Sequence, residues 1–160
     1  MLETKIGAGY TGQVEIRLYH GDNQFAKIVK HNTGTRKFLE YICNIVSGQK
    51  NLSTSSGEIP GKLGLTNSTI PLISYSDIKK TRYSNDSDYA YYSLQFIIPS
   101  VYINKGDTFS ELCLFPLSST NFATDDIYAT IKLDKDIIIE DGNTSIIVEW
   151  ILAFSNAIEN

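Results

Sequence analysis

The chain has 160 residues, a net charge of −4, 42% hydrophobic and 11% aromatic residues and only 20% charged ones. That is enough apolar material to bury a sizeable core, and it excludes wholesale disorder. Fourteen basic side chains against 18 acidic ones make a poor grip on nucleic-acid phosphates, and no apolar run approaches the ~18 residues of a membrane span.

Residues 1–12 hold glycines at 7, 9 and 12 without apolar periodicity. They predict a flexible or partner-docking arm, with Gly7, Gly9, Tyr10 and Gly12 as its docking residues. No basic start or apolar stretch of a signal peptide precedes it, so the protein is expected to be made and kept, or assembled, in cytoplasm. From Gln13 to Tyr19 the pattern alternates, with Val14, Ile16 and Leu18 on one face, and His20-Gly21-Asp22-Asn23 turns the chain into a second run, Gln24 to Lys30. The pair reads as a β-hairpin. Thr35 is placed to cap a helix over 36–47, whose Phe38, Leu39, Ile42, Ile45 and Val46 form one apolar stripe before Gly48. Residues 49–61 read as a surface loop.

The second half predicts strand after strand: 62–66, 70–76, 89–98, 108–114, 127–133, 137–139 and 144–154. The Asp141-Gly142-Asn143 turn precedes the last, in which Ile146, Val148, Trp150, Leu152 and Phe154 share a face. Eight or nine short strands with one helix predict a mainly β, single-domain β-sandwich over 13–160, of jelly-roll or Greek-key type. Serine, threonine and asparagine, 16, 13 and 11 in number, suit the turns and faces of such a fold. Residues 1–80 carry 10 basic and 6 acidic side chains and residues 81–160 carry 4 and 12, a split of +4 against −8 that interleaved strands would blend.

Motifs of chemistry are weak. Gly7, Gly9 and Gly12 spell G-x-G-x-x-G, but they precede a strand rather than join a strand to a helix, so they do not cradle a pyrophosphate. Lys27 or Lys30 would suit a kinase lysine, yet no H-R-D or D-F-G segment follows. His20 and His31 lack partners at ligand spacing, and Cys43 and Cys113, in apolar company, read as buried free thiols. Glu111 and Glu149 are the only carboxylates worth weighing as a glycosidase pair. No cofactor, metal or catalytic residue is expected. Tyr83, Tyr89, Tyr91 and Tyr92 make the best candidate binding surface, with Tyr83, Tyr89 and Tyr91 at its centre, because rings on a strand face offer a rigid platform with polar tips.

One resemblance adds to this. Phe109-Ser110-Glu111-Leu112-Cys113-Leu114-Phe115, then Ile127-Tyr128-Ala129-Thr130, then IIVEWILAFSN from Ile146 to Asn156, resemble a pattern in small β-rich virion proteins of tailed bacteriophages. There an E-L-G-L-[YF] strand is followed by a strand ending in an alanine pair and a final v-e-W-x-l-x-f-x-N strand. Lys30-His31-Asn32-Thr33-Gly34-Thr35 and the helix end Ser47-Gly48 are similar to a group among them. Cys113 stands where glycine is usual and Thr130 where a basic residue is frequent. The resemblance implies a multicopy structural protein of the virion without catalysis: a head-fibre, capsid-decoration or appendage-anchoring module, or a tail-fibre or baseplate adaptor. Its partners would be further copies of itself, as dimer or trimer, and other virion structural proteins, with no nucleic acid and no membrane. In that role Glu111 would accept backbone or hydroxyl hydrogen bonds inside the sandwich. The alternative is a carbohydrate-binding module or adhesin for host-surface glycan, with Tyr89 and Tyr91 as its platform.

Overall fold

The alternating segments pair into two antiparallel sheets. The computed structural model describes residues 6–32, 35–47, 56–81 and 89–158. In chain order these are β1 (Ile6–His20), β2 (Asn23–Asn32), α1 (Arg36–Val46), β3 (Pro60–Leu65), β4 (Ile73–Ser74), β5 (Asp77–Thr81), β6 (Tyr89–Ile98), β7 (Thr108–Pro116), β8 (Ala129–Ile138) and β9 (Thr144–Ile158), with three short 3-10 turns between them. One sheet has the order β2-β1-β9-β6-β5 and the other β4-β3-β7-β8.

Period-two patterning decides which faces meet. Val14, Ile16 and Leu18 of β1, Leu94, Phe96 and Ile98 of β6, and Ile146, Val148, Trp150 and Leu152 of β9 are buried in one cluster. The same cluster holds Leu63 and Leu65 of β3, Leu112 and Leu114 of β7, and Ala129, Ile131 and Leu133 of β8. Two sheets burying one face each against the other make a β-sandwich. The jelly-roll or Greek-key type expected from strand spacing is not established, because neither sheet contains three successive hairpin-linked strands with a fourth beside the first. The chain instead makes a hairpin in one sheet, crosses, and makes a hairpin in the other.

Several boundaries differ from expectation. Residues 6–12, read as an irregular arm, are strand: β1 pairs with β9 without interruption from Ile6↔Ile158 to His20↔Thr144. Their glycines hid a strand whose partner lies more than 120 residues away. The segments 127–133 and 137–139 are one strand, β8, whose register against β7 slips between Phe109↔Ile137 and Glu111↔Lys132, where Asp134-Lys135-Asp136 intervenes. β5 was not expected, and β4 is only two residues of the run 70–76.

Helix α1 starts as its cap chemistry dictates. The Phe38 amide donates to Thr35 Oγ1 at 3.3 Å, and the same hydroxyl donates to the Ile127 carbonyl at 2.8 Å, tying the helix start to the connection just before β8. Phe38 is fully buried and Tyr41 and Ile42 pack on the core, whereas Leu39 is 51% exposed. The buried stripe is therefore rotated from the one read in the sequence. Cys43 lies one residue beyond it and is exposed, in contrast to the buried thiol expected there, while Cys113 is buried.

Candidate functional site

The residues expected to dock and those expected to bind converge on one end of the five-stranded sheet. β9 lies between β1 and β6, so the register sets Gly9 opposite Ser155 and Ser155 opposite Tyr89 in a single row. Two residues along, Thr11 stands opposite Ala153 and Ala153 opposite Tyr91, and Gly7 stands opposite Ala157. Tyr10 pairs with Phe154 and Gly12 with Leu152, on the rows between. Strands in a sheet are about 4.8 Å apart, which puts the Gly9 and Tyr89 backbones roughly 10 Å from each other. Tyr83 lies outside the described residues. β1 and β9 each run 15 residues, about 50 Å, while the longest strand of the other sheet has 10 residues, about 34 Å. The five-stranded sheet thus outruns its partner.

The other candidates are kept apart. Val148 and Trp150 point into the core, so Glu149 faces outward from the five-stranded sheet, where it stands opposite Glu15 and pairs with Arg17 at 3.3 Å. Glu111 faces outward from the four-stranded sheet, between the inward Leu112 and the register slip, and accepts a 2.9 Å hydrogen bond from the Thr66 hydroxyl. Sheets pack about 10 Å apart, so carboxylates on opposite outer surfaces lie beyond the roughly 5–9.5 Å of a glycosidase pair. The hydroxyl bond expected for Glu111 is present, on the sandwich's outer surface rather than within it. His31 and the β2 partner of His20, Asn23, are eight residues apart along the strand, about 27 Å, so the histidines share no site. His20 stacks on Phe25, with centroids 4.0 Å apart, and lies 3.6 Å from Asp141. Among the described residues no group of His, Cys, Asp or Glu is arranged to hold a metal ion, and no helix is long and apolar enough to cross a membrane.

A cavity of about 360 Å³ was not anticipated. It opens where α1 meets the β7–β8 connection and the 3-10 turn Ser56–Glu58. Tyr128, buried just before β8, is its floor. The Tyr128 hydroxyl donates to the Glu58 carbonyl, and its ring stacks on Tyr41 with centroids 5.7 Å apart at 21° and lies tilted at 40° against Phe38 at 5.1 Å. Burial, with Glu58 close by, raises both phenol pKa values above the ordinary range, so the hydroxyls stay protonated. The connection after β7 is pinned by backbone bonds from Leu117 N to Ile59 O and from Ser118 N to Gly57 O, at 2.8 and 2.9 Å. Three segments distant in sequence supply this lining, and no local motif announces it.

Comparison with known proteins adds no relative: no protein-family model, no curated protein and no solved structure matches the chain.

Proposed function

We propose that the protein is a non-catalytic structural subunit that associates with copies of itself and with neighbouring subunits of a particle. The class is that of the tailed-phage virion proteins its strand motifs resemble, a head-fibre, capsid-decoration or appendage-anchoring module. The observation that carries this reading is the convergence of the Gly7/Gly9 strand and the Tyr89/Tyr91 strand on the end of a sheet that outruns its partner. Glycines let a second backbone approach closely, tyrosines favour protein interfaces, and β5, at the free edge beside β6, leaves main-chain groups for strand addition.

Light scattering of the purified chain tests the reading. The expected mass is that of two or three copies, falling toward one in a Tyr89→Ser, Tyr91→Ser double variant whose circular dichroism is unchanged. A single-copy mass from about 1 µM to about 100 µM, or absence of the protein from purified particles of the phage encoding it, would overturn it. Deleting residues 1–12 is not a clean test, because it removes the part of β1 that pairs with Leu152–Ile158.

A further inference from the structure

We propose that the cavity between α1 and the β7–β8 connection binds a neutral saccharide, a single hexose or the terminal unit of a glycan. At about 360 Å³ it falls in the ~300–1,000 Å³ range of small-molecule sites, at the end suited to one or two sugar rings. Its lining joins the two kinds of group a pyranose needs. Tyr41 provides aromatic surface for C–H faces, held by Tyr128 and Phe38 behind it. Around it stand the side chains of Asn44, Ser118, Thr120 and Asn121, whose polar ends make no hydrogen bond among the described residues. Amide and hydroxyl groups both donate and accept, which matches the mixed demand of vicinal sugar hydroxyls.

Charge selects against anions. Three carboxylates, Glu40, Glu58 and Asp126, line the cavity against one cation, Lys37, which Asp126 already holds at 2.8 Å, so carboxylates outnumber cations at its wall. A phosphate, sulfate or sialic acid would meet like charge, whereas a neutral hydroxyl donates to those carboxylates. The floor is organised before any ligand arrives, because Tyr128 is fixed through its hydroxyl and its neighbours' rings. A site rigid in the free protein loses less entropy on binding. This inference does not rest on the assembly reading: the Gly9 and Tyr89 row belongs to the five-stranded sheet, and the cavity lies at the end of the other.

The test is saturation-transfer NMR on the full chain with glucose, galactose, mannose, N-acetylglucosamine, N-acetylneuraminic acid and tetramethylammonium as separate probes. At least one neutral sugar is expected to bind and the two charged probes are not. Asn121→Leu and Thr120→Val, on the exposed rim, are each expected to weaken that sugar about tenfold, one lost ligand hydrogen bond's worth. Tyr41→Leu should weaken it at least as much, and Val101→Ser, remote from the cavity, should leave it unchanged. If Tyr41→Leu fails to fold, the two rim variants decide. Binding of no neutral sugar at about 10 mM, binding of tetramethylammonium alone, or sugar binding indifferent to the rim variants but lost in Tyr91→Ser would each overturn the proposal.

Discussion

Gly64 shows how much a single missing side chain can matter on the outer surface of a sandwich. A Cβ there would come within 2.7 Å of Phe115 Cε2, 2.8 Å of Leu72 Cδ2 and 3.0 Å of Phe122 Cδ2. Phe115 is fully buried and packs edge-on against Phe122 with centroids 5.0 Å apart, so the crowd has nowhere to go. Gly64→Ala is expected to cost about 1–3 kcal/mol, read as a lowered urea midpoint at constant slope. Gly142→Ala meets nothing within 4 Å and should leave the midpoint in place; equal effects at the two positions would contradict this account. The cysteines separate in the same way. Burial lifts the Cys113 thiol above its ordinary range, so a native-state alkylating reagent should modify Cys43 alone and reach Cys113 only after denaturation. The raised pKa values of Cys113, Tyr41 and Tyr128 also set a sign. Below about pH 8.5 these groups are protonated in both states and their contribution is complete. Above it the unfolded chain gives up protons first, so stability falls with rising pH, through the thiol and then, past about pH 10, through the two phenols. Cys113→Ala should flatten the first part of that decline, and a chain whose stability rose between pH 8.5 and 10 would refute the assignment.

Elements were legible where their determinants are local. The Asn-containing turn and alternating β1–β2 pattern, the threonine cap of α1 and the apolar alternation of β6 all appear within a dozen residues, and β6 spans 89–98 as expected. What depends on distant partners was not. β5 has one apolar residue, Ile78, among Asp77, Lys79, Lys80 and Thr81, and is strand only because β6 offers its edge. Residues 6–12 are strand only because β9 returns beside them, and the cavity exists only because α1, a 3-10 turn and the β7–β8 connection meet. The buried stripe of α1 lies between these cases. Period 3.6 located the helix, but its rotation depends on Phe38 and Tyr41 finding Tyr128. Phe38→Ala is therefore expected to cost about 3–5 kcal/mol, and Leu39→Ala, on the exposed side, well under about 1 kcal/mol. Comparable losses at the two positions in thermal denaturation would restore the stripe the sequence alone suggests.

At the scale of the whole molecule, the last strand in the chain sits in the middle of its sheet. β9 pairs with β1 on one side and β6 on the other, and its contacts with β1 join residues separated by 124 positions or more. Such closure exacts its entropy before most of the core can form, so folding should be a late, concerted event on the ms–s scale of sandwich topologies. Trp150, the one tryptophan in the chain, reports it directly. It lies on β9 between Val14 and Leu94, fully buried, and its indole nitrogen has no hydrogen-bond partner among the described residues. Its emission should be blue-shifted in the native state and should move red in one step on unfolding, at the same urea concentration at which the far-ultraviolet dichroism is lost. Removing β9 by ending the chain before Thr144 should do more than delete a strand. It strips Ile146, Val148, Trp150 and Leu152 from the shared core and leaves β1 and β6 with facing unpaired edges. Ending the chain there is expected to abolish the cooperative transition altogether, whereas trimming the edge contribution of β5 with Ile78→Ser, at a residue already 40% exposed, should only lower its midpoint. A cooperative, dichroism-detected transition in the chain without β9 would mean that the four-stranded sheet and α1 hold together unaided, and that the sandwich is not the unit that folds.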